Sequence, residues 1–273
     1  MTENASGERL GTSFFDENTV EHLHRYAFAC ELTKNKSVLD IACGEGYGSN
    51  LLALGAREVT GIDAAADVID KAKRKYNKSN LKFIQGALEK IPIADCQFEV
   101  VVSFETLEHI EAHEVMLEEI KRVLVPGGLL LLSTPEKKYY SDLPGYKNPF
   151  HKKELYESQL RALIGGFFSH SQYLYQRFIQ GSVMTSGIDA EIKFYTGNFD
   201  AIKTMPTINP MYLVVLASDR EFVSAQSSVF DGNDLLETAL SRKESEIHRT
   251  WSYRLGHSLL APIKLLRRLV RNV

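Results

Sequence analysis

The chain has 273 residues, 44% of them hydrophobic and 25% charged, which suits one well-buried α/β domain with a short appendage and excludes two equal domains. No apolar run approaches the about 20 residues of a membrane span, residues 1–4 lack the basic and apolar regions of a secretion signal, and Cys30, Cys43 and Cys96 have neither disulfide-framework nor zinc-ribbon spacing, so a reducing cytoplasm is expected. The formal charge is -3, yet residues 251–273 hold five basic residues and no acid; the other residues therefore sum to -8, a poor surface for gripping nucleic acid.

The first residues, through Gly11-Thr12, are polar and expected to be loosely ordered. Thr19 to Cys30 has helical character, with Thr19 placed to cap it. Then comes Val38-Leu39-Asp40-Ile41-Ala42-Cys43-Gly44-Glu45-Gly46-Tyr47-Gly48, an apolar run ending in an acid and opening into a glycine-rich turn. A short apolar run reads as a buried parallel strand, and the glycines let the backbone turn tightly and approach a ligand. The next strand, Glu58 to Asp63, ends in an acid suited to holding a ribose. The pattern is not a dinucleotide fingerprint, because the acid precedes the glycines, nor a phosphate-binding loop, because the Lys and Ser/Thr are missing.

Ala65 to Tyr76 reads as an amphipathic helix with a solvated lysine face, Leu81 to Gln85 as a third strand, and Phe98 to Ser103 as a fourth that reaches the sheet edge where ligands bind. After it, Glu105, Glu108 and His109 stand at i, i+3 and i+4, so a helical turn would put them on one face. Two acids and an imidazole converging there are costly unless something positive joins them. A helix from Ala112 to Leu124, a turn at Pro126-Gly127-Gly128 and a fifth strand from Leu129 to Ser133 follow. Thr134 to Phe150 is irregular and long for a loop, the character of a substrate lid. His151 to Leu163 reads as helix, Phe167 to Phe178 as strand, Gln180 to Asn209 as an insertion, and Met211 to Ala217 as a last buried strand.

On these motifs the chain resembles the class I S-adenosylmethionine (SAM) methyltransferases, through the acid with alternating glycines and the acid ending the second strand. The resemblance implies a Rossmann-like, doubly wound, seven-stranded and mostly parallel sheet with an antiparallel last strand, over residues 7–218. Residues 219–273 would form a polar helical linker and a basic amphipathic tail. It implies cofactor contacts at Asp40, Ala42, Gly44, Gly46, Asp63, Ala64 and Ser103, with Ala42 standing where many members have glycine. Gly86 to Pro92 matches the family's adenine-side loop in spacing, which assigns Ala87 and Leu88 to the adenine through backbone groups. Residues 7–9 and 21–26 look like the N-terminus of members found with bacterial surface-polysaccharide genes. That implies Arg25 and Tyr26 against the cofactor; the alternative is that Tyr26 packs while His22, His24 and Arg25 are solvated.

Glu105-x-x-Glu108-His109 is also similar to the metal signature of small-RNA 2′-O-methyltransferases and of a ubiquinone-synthesis O-methyltransferase, and His151 lies where the RNA enzymes have a further histidine. The resemblance thus implies a divalent ion (Mn, Fe, Co, Zn or Mg) on Glu105, Glu108, His109 and His151; a metal-free histidine base and a purely structural role remain the alternatives. Both chemical readings point to O-methylation, because a sugar hydroxyl is a poor nucleophile near neutral pH. The resemblance to the polysaccharide-associated members implies a sugar hydroxyl on a glycan, lipid-linked glycan or nucleotide sugar as acceptor, and a catechol-type phenol would serve the same chemistry. The rivals are small-RNA 2′-O-methylation and a non-catalytic SAM-binding subunit of a glycosyltransferase. The tail from Trp251, with Leu255, Leu259, Ile263, Leu266 and Val270 at helical spacing among four cations, is expected either on the inner membrane face or docked on protein.

Overall fold

A computed structural model of the chain describes residues 17–179, 182–186, 194–197, 202–205 and 208–256. The chain divides into two compact units, through Phe230 and from Asp231. The boundary lies beyond the expected 218/219 because strand β11 (Ser228–Phe230) pairs with β7 (Ser182–Thr185) and belongs to the first unit.

The first unit is built on a nine-stranded sheet in the order β11-β7-β6-β10-β5-β4-β1-β2-β3. Its parallel half comprises β1 (Ser37–Ile41), β2 (Glu58–Asp63), β3 (Leu81–Gln85), β4 (Phe98–Phe104) and β5 (Leu124–Pro135). The antiparallel half begins with β10 (Tyr212–Ser218), which lies between β5 and β6 (His170–Phe178). The sheet is mostly parallel near the glycine turn, as the alternation of apolar runs and helices implies, but exceeds the expected seven strands because β6, β7 and β11 continue it by antiparallel pairing. A separate antiparallel hairpin joins β8 (Phe194–Gly197) to β9 (Ile202–Met205).

Successive strand residues face opposite sides of a sheet, and both sides here are covered. Leu39, Ile41, Val101, Leu130 and Leu132 pack in one apolar cluster with α4 (His113–Val123) and α5 (Glu157–Gly165). Their neighbours Val38, Val100, Val102, Leu129 and Leu131 pack in the other, with Tyr26 and Ala29 of α1 (Glu17–Leu32) and Leu52 of α2 (Tyr47–Leu52). The helix after β1 thus covers one face and the helix after β4 the opposite face. That divergence opens a crevice at the carboxyl ends of these adjacent strands, the usual ligand position in doubly wound sheets.

Several boundaries differ from expectation for identifiable reasons. Helix α1 begins at Glu17, so Thr19 sits buried within its first turns and does not cap it. Strand β5 begins at Leu124, upstream of the expected turn, and absorbs Pro126 and the glycines through a register shift against β4. Residues 151–156 are not helical: Glu136 bridges Leu155, and the Lys152 and Lys153 amides donate to the Glu108 carbonyl, so backbone pairing holds the segment open until α5 starts at Glu157. The expected lid contains one π-helical turn, Lys138–Asp142.

In the second unit, α6 runs from Asn233 to Arg249 and residues 251–256 are helical, with Trp251 and Leu255 exposed. No helix among the described residues is long and apolar enough to cross a membrane. The residues of the tail after Gly256, and residues 1–16 with the Gly7 to Arg9 match, lie outside the described residues.

Candidate active site

The cradle is the turn from Ala42 to Gly48. Ala42, Gly44 and Gly46 all have left-handed backbones, with φ of 54°, 54° and 82°. For Ala42 this conformation costs about 1 kcal/mol relative to glycine, so the small side chain keeps the turn under modest strain. The three glycines do different jobs. Gly44 has open space where a Cβ would stand, which suits a ligand's approach. Beside Gly46 the Phe83 ring would lie 2.6 Å from an added Cβ, and beside Gly48 the Tyr26 ring would lie at 2.0 Å. These two are glycine because aromatic rings already occupy the space.

Asp63, at the end of β2, is 5% exposed. Its Oδ2 accepts the Gly44 N–H at 3.1 Å and its Oδ1 the Ala65 N–H at 2.9 Å, which fixes the carboxylate at the mouth of the turn. Asp40 is fully buried beneath that turn, where it accepts hydrogen bonds from Ser49 Oγ at 2.6 Å and the Tyr26 hydroxyl at 3.3 Å. Burial raises its pKa to about 7, against the pull of those two donors. Asp40 therefore sits among protein groups, as a brace between α1, β1 and α2. Ala64 and Ala87 are exposed, and Leu88 is half-buried against the core.

At the end of β4, Ser103 Oγ is buried and has no hydrogen-bond partner among the described residues. Arg25 is also fully buried, contrary to the reading that leaves it solvated; its Nη1 donates to Gln176 Oε1 at 2.7 Å and the guanidinium lies 4.8 Å from the Tyr212 ring centroid. His24 is buried as well, and desolvation followed by the Arg25 charge lowers its pKa to about 4. Helical spacing alone gave no signal for this, because strand β6, with Gln176, covers that face of α1 only in the folded chain.

Glu105 has a left-handed backbone, φ 51°, so the expected single helical turn does not form. Its carboxylate accepts Ser133 Oγ–H at 2.6 Å and lies 3.8 Å from Arg25 Nη1. Leu107–His109 then makes a short 3-10 turn that brings Glu108 and His109 toward His151. Ligand atoms of Glu108, His109 and His151 all lie within 4.8 Å of one another, and Glu105 is not in that group.

Each group in the cluster is oriented. His109 Nδ1 lies 3.1 Å from the Phe150 carbonyl, which can only accept, so Nδ1 carries the proton and Nε2 is the basic nitrogen, 3.8 Å from Glu108 Oε1. His151 Nδ1 donates to Glu154 Oε1 at 2.5 Å, while its Nε2 accepts from Asn148 Nδ2 at 2.9 Å. The Tyr140 ring stacks on His151 with centroids 5.3 Å apart. Glu108 is buried and accepts from Thr134 Oγ1 at 3.0 Å; burial, then the nearby Glu105 charge, push its carboxyl well above the usual range. The cluster thus sets a tautomer-fixed imidazole beside a buried carboxyl, after the end of β4.

Residues 39–132 match the family model described as a methyltransferase domain. The chain is 34% identical over 164 residues to a probable S-adenosylmethionine-dependent methyltransferase of Mycolicibacterium smegmatis, covering 58% of this chain and 62% of that protein. It is 32% identical over 132 residues to a fatty-acid O-methyltransferase of the same organism, covering 48% and 47%. The chain thus spans only 62% and 47% of the lengths of these two relatives. The crystal structure of the YcgJ protein of Bacillus subtilis superposes with a TM-score of 0.56 at 17% identity, over 74% of this chain and 100% of that one, a likeness of fold.

Proposed function

We propose that the chain, which matches a methyltransferase-domain model over residues 39–132, is a SAM-dependent methyltransferase that transfers a methyl group to a hydroxyl oxygen, that of a sugar in a surface glycan, lipid-linked glycan or nucleotide sugar. The observation that carries the O-methyl reading is the His109 ring, its Nδ1–H committed to the Phe150 carbonyl and its basic Nε2 beside Glu108 at the crevice edge. The similarity to a fatty-acid O-methyltransferase agrees with an oxygen acceptor. The sugar is argued from the polysaccharide-type resemblance of residues 21–26.

The residues fit the cofactor. Gly44 leaves open space at the mouth of the turn, Asp63 stands beside it with its carboxylate fixed, and Ser103 Oγ and the Nε and Nη2 donors of Arg25 are buried polar atoms lacking partners among the described residues. Bound SAM supplies a methyl group already activated on a sulfonium. What the chain must do is hold the ribose at Asp63, seat the remainder along the turn and the end of β4, and exclude water around the acceptor. His109 Nε2 accepts the hydroxyl proton as the oxygen becomes nucleophilic, with Glu108 Oε1 3.8 Å away.

The 4.8 Å clustering of Glu108, His109 and His151 favours a second reading, a divalent ion in place of a histidine base. Ligand distances of about 2.0–2.2 Å hold ligand atoms within about 4.4 Å of one another, so the set would contract and Asn148 would release His151 Nε2. Two imidazoles with a carboxylate favour Mn, Fe, Co or Zn over Mg. His109→Ala should lower the rate of methyl transfer roughly 10²–10⁴-fold while leaving SAM affinity in place. If transfer by the parent chain survives exhaustive chelation, the base reading holds; if it is lost and restored by one metal, the metal reading replaces it. A His109→Ala variant as fast as the parent would remove both.

A further inference from the structure

The segment between β5 and α5 runs beside the Glu108, His109 and His151 cluster and presents an unusual surface. On its inner edge the Phe150 carbonyl holds His109, Tyr140 stacks on His151, and the Lys152 and Lys153 amides donate to the Glu108 carbonyl at 2.8 and 3.1 Å. Its outer side chains therefore begin one residue away from the reacting groups. Between Pro135 and Glu157 there are five lysines and three acids, a local surplus of +2 in a chain of net charge -3. All three acids are engaged, Glu136 by the Tyr139 and Glu157 amides at 3.1 and 3.2 Å, Asp142 by the Tyr156 hydroxyl at 2.7 Å and Glu154 by His151. Lys138, Lys147, Lys152 and Lys153 are exposed and form no ion pair among the described residues. Interleaved with them, Leu143, Tyr146 and Phe150 are 66%, 51% and 42% exposed.

Solvated lysines alone are ordinary, and so is one exposed leucine. Here four of the cations lack counter-ions among the described residues, exposed apolar residues alternate with them along the chain, and the segment also carries groups that hold the site. We propose that this surface binds the acceptor itself, an amphiphile whose methylated hydroxyl lies close to a phosphate or pyrophosphate and whose far end is a hydrocarbon chain. Several lysine point charges match a group of two or more negative charges, and the apolar side chains give a hydrocarbon somewhere to lie. A polynucleotide fits less well, because its charge would continue beyond the segment onto a chain whose remaining charge is negative. The inference rests on the hydroxyl-methylation reading for its acceptor, but its test reads binding and not turnover.

The probe is a monosaccharide joined through pyrophosphate to a ten-carbon alcohol, used below its micelle concentration and titrated calorimetrically into the full chain with S-adenosylhomocysteine present. It should bind at least ten-fold tighter than a sugar nucleotide lacking the chain or a decyl glycoside lacking the phosphate. Lys152→Ala/Lys153→Ala should weaken the phosphorylated probe at least ten-fold and leave the neutral glycoside unmoved, with Lys152→Arg/Lys153→Arg restoring most of the loss. Lys147→Ala, on an exposed turn, gives the same test should the double variant melt early. Equal binding of the neutral glycoside, indifference to the lysine changes, or tighter binding of a short RNA overturns the proposal. Tight binding with no methyl transfer leaves it standing and counts instead against the hydroxyl-methylation reading.

Discussion

Replacing Asp63 with alanine isolates the acid at the mouth of the glycine turn. Its two carboxylate oxygens accept the Gly44 and Ala65 amides at 3.1 and 2.9 Å, with 5% of the residue exposed. Hydrogen bonds to a charged group contribute about 1.5–3 kcal/mol each, less where water can reach the amide left behind, as it can at half-buried Gly44 and Ala65. We therefore expect Asp63→Ala to cost about 1–3 kcal/mol of stability, lowering Tm by about 2–4 °C per kcal/mol in a domain of this size. In the proposed role the same carboxylate also accepts ribose hydroxyls, so SAM affinity should fall by a further 1.5–3 kcal/mol, roughly 10- to 150-fold. The assay is calorimetric titration of SAM into parent and variant at a temperature where melting shows both folded. A folded variant of unchanged affinity would refute the placement of Asp63 at the ribose, whatever it does to Tm.

Gly48→Ala would push a methyl group to 2.0 Å from the Tyr26 ring, and overpacking of this kind costs about 1–3 kcal/mol, read as a lower urea midpoint at unchanged slope; an unaltered midpoint would show that α1 yields freely. Asp40 binds a proton in the folded chain up to about pH 7 that the unfolded chain releases near the ordinary carboxylate pKa of about 4. Its contribution to stability is therefore fully present below about pH 4 and lost as pH rises through 7. Urea midpoints measured from pH 5 to 8 should fall less steeply in Asp40→Asn than in the parent, and parallel profiles would mean that Asp40 titrates normally.

The central strands β1, β4 and β5 were legible because each carries a short apolar run buried on both faces, a signal that stands in the chain without reference to partners. Asp63 and the glycine turn were legible for the same reason, their positions being local to one strand end. The antiparallel extension was not: β7 and β11 are three or four residues long and become strands only by pairing with β6 and with each other. At the site, the i, i+3, i+4 spacing suggested three side chains on one helical face, but the left-handed backbone at Glu105 turns that carboxylate toward Ser133 and Arg25. His151 was expected on a helix and stands in an extended segment, since the bridge from Glu136 to Leu155 outweighs local helix propensity. The glycines at 46 and 48 looked alike with Gly44, and only packing against Phe83 and Tyr26 separates their roles.

The central claim is hydroxyl methylation, and it is tested most directly by incubating the full chain with methyl-labelled SAM and a panel of nucleotide sugars, lipid-linked sugars and short RNAs, then locating the label in the product by mass spectrometry and NMR. The account predicts label as an O-methyl ether on a sugar hydroxyl, dependent on His109. Label on nitrogen or carbon, or SAM binding with no transfer to any hydroxyl in the panel, would contradict it.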